Sequence, residues 1–211
     1  MDTSTQSQAT ALTLTERARK VFQRILNPIT GVLMRTPITP NALTVMGAIV
    51  NALIGFIVAT GNLTLGGIVL LVSGLFDSLD GALARRIGVT SKFGAFLDST
   101  LDRYSEAFVL LGLLVYAGDR GLVLEQRLVF VTLVGSLLIS YTRARAEGLG
   151  IDCKVGLLTR MERFLILSSM LIIQQVTLGL IVLAVLTHIT VIQRISHVRR
   201  SLRRIERTSN D

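Results

Sequence analysis

The sequence predicts an all-α integral membrane protein: six transmembrane helices preceded by an N-terminal amphipathic helix lying at the membrane interface. Three observations carry this. Half of the 211 residues are apolar and the mean hydropathy is +0.60, well above that of an ordinary soluble domain. The apolar stretches recur at close to the ~20 residues that a bilayer span requires. The 22 Lys and Arg gather between those stretches, as they do at a cytoplasmic membrane face.

Residues 1–13 are rich in Ser, Thr and Gln and read as a disordered N-terminus. Over residues 14–36, Arg17, Lys20 and Arg24 alternate with Val21, Ile25, Leu26, Ile29, Val32 and Leu33. That pattern suits a helix lying in the interface, with a bend at Pro28. Pro37 and Pro40 bound a short connection. Six apolar segments follow, near 42–60, 63–84, 93–117, 128–148, 162–176 and 178–197. The fifth is short, and its boundary with the sixth falls around Gln174 to Gly179. The six-span domain is placed at 37–198, and a basic cytoplasmic tail at 199–211.

Charge orients the spans. Five Lys or Arg precede Ile38, three lie between Arg85 and Lys92, five between Arg143 and Arg163, and six between Arg194 and Arg207. The opposite side carries Arg120 and Arg127, balanced by Asp119 and Glu125. Both termini are therefore expected in the cytoplasm of a cell with this chain in its inner or plasma membrane. A net charge of +8 alone would admit nucleic acid as a partner, but no zinc, RNP-like or heptad signal accompanies it. The single cysteine, Cys153, excludes an internal disulfide framework and a cysteine-based metal cluster.

The chemistry concentrates between Asp77 and Asp102, in the pattern D-x2-D-G-x2-A-R-x8-G-x3-D-x3-D. Asp77, Asp80, Gly81, Ala84, Arg85, Gly94, Asp98 and Asp102 fill it. A carboxylate at membrane depth costs roughly 2.5–3.5 kcal/mol even on the mild translocon scale, so four demand compensation. On a helix, Asp77, Asp80, Gly81, Ala84 and Arg85 fall within an arc of roughly 140°, and Gly94, Asp98 and Asp102 within roughly 80°. A short connection makes the two helices antiparallel neighbours whose acids can face each other near the cytoplasmic surface. Gly81, Ala84 and Gly94 allow close approach of a helix or a phosphate. Oxygen-only donors favour Mg²⁺ or Mn²⁺ over zinc, and such ions bridge carboxylates to phosphates. The bland alternative is structural pairing of the aspartates with Arg85, Arg86 and Arg103. Arg103 and Glu106, three residues apart, read as a structural ion pair.

These residues match, position for position, the signature of the CDP-alcohol phosphotransferase family, which the chain resembles over nearly its whole length. The resemblance implies a homodimeric membrane enzyme that moves a phosphatidyl-type group from a CDP-diacylglycerol-type lipid to a small alcohol and releases CMP. It implies that Asp77, Asp80 and Asp98 ligate two divalent ions, Mg²⁺ or Mn²⁺, that Asp102 ligates one and acts as general base, and that Gly81 and Arg85 contact the CDP group. It also implies that the turn Asn41, Ala42, Leu43 and Thr44, and Ser91, lie against that group. Helix capping is the plainer role for Asn41 and Ser91.

Arg143, Arg163 and Arg194 each begin or end an apolar run, so that they can point into the bundle, and three inward cations suit a phosphate on the acceptor. On resemblance they fall at the acceptor-phosphate positions of the phosphatidylinositol-phosphate synthase branch, although Arg143 stands where lysine is usual and Met161 where proline is. Inositol phosphate is thus the expected acceptor and glycerol 3-phosphate its competitor. An intramembrane prenyltransferase would carry two separate acidic motifs and more spans. A divalent-cation carrier would distribute its acids along a path through the membrane.

Overall fold

Thr39 opens the first helix. Its hydroxyl accepts the Ala42 amide at 3.2 Å, and Pro40 at the first helical position gives up an N–H that would have no intrahelical partner. The computed structural model describes residues 39–74 and 91–208. Among these it forms six helices: α1 (Pro40–Ala59), α2 (Leu63–Gly74), α3 (Lys92–Asp119), α4 (Val123–Glu147), α5 (Arg160–Ile172) and α6 (Val176–Thr208). The amphipathic segment 14–36, the N-terminus before it, and Asp77, Asp80, Gly81, Ala84, Arg85 and Arg86 lie outside the described residues.

The expected all-helical architecture is present. α1, α4 and α6 are long and apolar enough to cross a membrane. α3 has the length, at 28 residues, but carries Asp98, Asp102, Arg103 and Glu106 between its first turns and its middle. α5 has only 13 residues, about 20 Å of helix, and is entered through the non-helical stretch 151–159. Beyond its apolar part, α6 continues without a break through Arg199, Arg200, Arg203 and Arg204, since arginine is a good helix former once it reaches solvent.

Three connections are alike. Residues 60–62, 120–122 and 173–175 link α1 to α2, α3 to α4 and α5 to α6, and each turns through one left-handed residue: Gly61 at φ 94°, Gly121 at 67° and Gln174 at 57°. Such short links make their helices antiparallel neighbours. The N-termini of α1, α3 and α5 consequently share one end of the bundle with the C-termini of α4 and α6.

Small residues set the tightest contacts, as expected where helices gain little from excluding water. A methyl group on Gly112 would lie 2.1 Å from the Gly55 carbonyl oxygen, and one on Gly55 2.3 Å from that of Phe108. The α1 and α3 backbones therefore touch. Gly135 of α4 gives the same room to Thr187 of α6. Around these contacts Ile54, Val58, Val109, Leu113, Leu171 and Leu180 form the buried core. The outer surface is apolar too: along α1, Val45, Ile49, Leu53 and Phe56 are exposed at helical spacing, a face made for lipid rather than water.

Candidate active site

Each helix entering the site end of the bundle is capped by its own sequence. Ser91 caps α3, its hydroxyl accepting the Gly94 amide at 2.8 Å. Thr159 and Glu162 close a capping box on α5, with the Thr159 amide donating to the Glu162 carboxylate at 2.8 Å. Ser91 thus takes the capping role weighed for it, whereas Thr39, not Asn41, caps α1. Asn41, Ala42, Leu43 and Thr44 lie in the first turns of α1 rather than in a separate turn.

Asn41 and Ser91 nevertheless come together. A methyl group built on Gly94 would stand 3.0 Å from Asn41 Oδ1 and 3.0 Å from Ser91 Oγ. Gly94 therefore lets the entrances of α1 and α3 close on one another, placing two positive helix ends side by side where an anionic group is favoured. Asp98 follows one turn later and is half-buried.

Asp102, a further turn on, reaches the wall of a cavity of about 780 Å³. Arg143, Arg163 and Arg194 line the same cavity, joined by Arg103, Lys154 and Arg160. Three carboxylates, those of Asp102, Glu106 and Glu147, share the lining with these six cations, so the compartment favours an anion. No Cys or His stands on its described wall. The aspartate oxygens of α3 thus suit a hard divalent cation that takes oxygen donors.

The cations are held in different ways. Arg160 Nη2 meets Asp102 Oδ1 at 2.6 Å. Arg163 is buried and forks onto Glu106, through Nε to Oε1 at 2.9 Å and Nη2 to Oε2 at 2.9 Å. Glu106 Oε1 also accepts the Ser136 hydroxyl at 2.8 Å. The pairing of Glu106 with Arg103 expected from their spacing gives way to this longer-range partner. Arg194 is buried as well and donates from Nε to the Val155 carbonyl at 3.0 Å and from Nη1 to that of Ile139. Arg143 is half-exposed and pairs with Glu147 at 2.8 Å. Lys154 bonds Asp152 at 2.9 Å, which holds that exposed carboxyl below its ordinary range.

A second, small cavity of about 30 Å³ lies behind Asp102, lined by Asn51, Ser105, Glu106 and Arg160 together with apolar side chains. It is large enough for water. Asp102, Glu106 and Arg160 thus stand between two compartments. Sequence reasoning did not single out Lys154, Ser136, Asn51 or Ser105; Asn51 carried a signal, as a carboxamide in the middle of an apolar run.

The family model for CDP-alcohol phosphatidyltransferases matches residues 37–192. The chain belongs to the CDP-alcohol phosphatidyltransferase family. It is accordingly a transferase of phospholipid biosynthesis. Among the relatives of this phosphatidyltransferase is the archaetidylinositol phosphate synthase of Pyrococcus horikoshii, 37% identical over 187 residues, covering 88% of this chain and 97% of the relative. Its fold matches the crystal structure of Mycobacterium tuberculosis phosphatidylinositol phosphate synthase with CDP-DAG bound, at a TM-score of 0.77 and 34% identity, over 83% of this chain and 94% of the other. The same Mycobacterium tuberculosis enzyme in complex with manganese and citrate matches at 0.76 and 33%, over 82% and 88%. These matches place the chain in a family of membrane enzymes, one solved relative of which holds manganese.

Proposed function

We propose that this phosphatidyltransferase transfers a phosphatidyl-type group from CDP-diacylglycerol, or from a CDP-ether lipid, to inositol 1-phosphate. The product is phosphatidylinositol phosphate or its ether-lipid counterpart. The observation that carries the reading is the shared cavity, with Asp102 on its α3 wall and Arg143, Arg163 and Arg194 among its cations. A neutral alcohol needs no such array; a phosphorylated one does. The names of the similar synthases point the same way.

In this reading Asp77, Asp80, Asp98 and Asp102 hold two divalent ions, Mg²⁺ or Mn²⁺. When bound, the ions neutralise the diphosphate and stabilise charge on the leaving group. Asn41, Ala42, Leu43, Thr44, Gly81, Arg85 and Ser91 bind the CDP moiety, with Asn41 and Ser91 drawn together across Gly94. Arg143, Arg163 and Arg194 bind the acceptor phosphate. Each guanidinium keeps N–H groups beyond those spent on protein partners, since arginine has five.

Asp102 takes the proton from the acceptor hydroxyl. The hydroxyl oxygen then attacks the lipid-side phosphorus, the bond from that phosphorus to the bridging oxygen breaks, and CMP departs with the bridging oxygen. Arg85 stabilises the charge that develops there. The enzyme is read as a six-span homodimer in the cell membrane with its termini and active site on the cytoplasmic side. The charge distribution of the loops supports the orientation, and family resemblance the dimer.

The test is purified enzyme in detergent with radiolabelled CDP-lipid and four acceptors in parallel: inositol 1-phosphate, glycerol 3-phosphate, inositol and serine. Conversion of inositol 1-phosphate, with CMP release, is expected. Conversion of glycerol 3-phosphate alone would overturn the acceptor assignment and make the enzyme a phosphatidylglycerophosphate synthase.

A further inference from the structure

Glu106 is a carboxylate in the middle of α3, four residues beyond Asp102, and neither the aspartate signature nor the acceptor arginines account for it. An ionised side chain inside a membrane bundle is expensive and calls for a partner and a purpose. The partner is Arg163. Both carboxylate oxygens are engaged: Oε1 accepts Arg163 Nε at 2.9 Å and the Ser136 hydroxyl at 2.8 Å, and Oε2 accepts Arg163 Nη2 at 2.9 Å. The three residues come from α3, α5 and α4, so the guanidinium of α5 is forked onto a carboxylate of α3 that a hydroxyl of α4 holds in turn.

The fork consumes a defined edge of Arg163. With Nε and one N–H of Nη2 spent on Glu106, the Nη1 amino group and the second Nη2 N–H remain for the cavity that Arg163 lines. A planar guanidinium held bidentately cannot turn without losing both bonds. Arg143 and Lys154 differ: their side chains are 48% and 73% exposed, and each bonds a carboxylate close in sequence. They bring charge to the cavity, while Arg163 brings a fixed direction.

We propose that Glu106, braced by Ser136, is a positioning residue for acceptor recognition, orienting Arg163 so that its free N–H edge faces the phosphate of the acceptor. The proposal rests on the reading of this cavity as the acceptor site. Because the Glu106–Arg163 pair carries no net charge, its contribution is geometric and falls on the acceptor rather than on the CDP-lipid. A mere brace between helices would loosen both substrate sites together.

The test compares wild type, Glu106→Gln and Ser136→Ala in detergent, with KM measured separately for inositol 1-phosphate and for CDP-diacylglycerol, and with CDP-lipid binding as the measure of an intact fold. Glu106→Gln is expected to raise the acceptor KM about tenfold or more, the scale of a charge-assisted bond, and to leave the donor KM within about twofold. Ser136→Ala keeps the ion pair and removes one bond, so a rise of about threefold in acceptor KM is expected. Should Glu106→Gln fail to bind CDP-lipid, the Ser136→Ala result decides. Unchanged acceptor KM, or a parallel rise in both constants, overturns the role of Glu106. A wild-type enzyme that ignores phosphorylated acceptors overturns the proposed function instead, which separates the two failures.

Discussion

Asp102 of α3 and Arg160, the first residue of α5, are joined by an ion pair of 2.6 Å at the boundary between the large cavity and the small one behind it. The carboxylate proposed as the general base is thereby tethered to the helix that also carries Arg163. Asp102→Asn preserves shape and much of the hydrogen bonding but removes the base. Turnover is expected to fall by about 10²–10⁴, the usual contribution of acid–base catalysis, while CDP-lipid binding persists. Single-turnover CMP release beside equilibrium binding of the CDP-lipid checks it, and near-normal turnover would remove Asp102 from the mechanism.

The oxygen-only donor set leads to a second expectation. Exhaustive chelation should abolish product formation, and Mg²⁺ or Mn²⁺ should restore it, since both accept carboxylate and phosphate oxygens. Product formed at an undiminished rate in excess chelator would exclude a metal-dependent reaction.

Gly55 and Gly112 hold the α1 and α3 backbones in contact, with no space for a methyl group on either. Gly112→Ala must push the helices apart, and overpacking of this kind typically costs about 1–3 kcal/mol. The melting temperature in detergent should drop, and further in the Gly55→Ala/Gly112→Ala double variant. An unchanged Tm would mean that the helices are not so close.

Gly94 is the local counterpart at the site. A side chain larger than methyl must displace Asn41 or Ser91, each already 3.0 Å from the position of a first carbon. Gly94→Val should therefore raise the KM for CDP-lipid by about tenfold, equivalent to roughly 1.4 kcal/mol, with a smaller change in the acceptor KM. A selective effect on the acceptor would mean that Asn41 and Ser91 face the wrong substrate.

The sequence was most legible where physics made a residue expensive. Acids in apolar surroundings singled out α3, whose Asp102 and Glu106 line the large cavity, and hydrophobic length located the helices close to their observed positions. Partners distant in sequence were harder to read. Glu106 has Arg103 within one turn, yet it takes Arg163, 57 residues further on, because Arg163 enters from a helix packed across the cavity. Periodicity reports which face of a helix is apolar and not which helix covers it, so the Gly55–Gly112 contact had no local signal. Capping of α1, weighed for Asn41 as the plainer alternative to a nucleotide contact, falls to Thr39, because Pro40 occupies the first helical position. Asp77 and Asp80 lie outside the described residues.

Arg194 offers the sharpest separation between holding a ligand and holding the fold. Its guanidinium is buried and bonds the carbonyls of Val155, in the stretch before α5, and Ile139, in α4. Removing the side chain takes the Arg194 donor from the Val155 carbonyl, at a cost of about 1–3 kcal/mol if that oxygen stays buried and dry, whereas the Ile139 carbonyl still accepts the Thr142 hydroxyl at 3.1 Å. Arg143 is half-exposed, and its side chain bonds Glu147 on its own helix, an arrangement worth about 0.3–0.5 kcal/mol. If both arginines bind the acceptor phosphate, Arg143→Ala should raise the acceptor KM with little change in Tm, whereas Arg194→Ala should raise it and lower Tm together. Arg194→Lys is the discriminating variant: it keeps the charge but cannot reproduce the fork to two carbonyls. A Tm that falls while the acceptor KM stays at the wild-type value would assign Arg194 to the fold. A raised acceptor KM at unchanged Tm would assign it to the ligand.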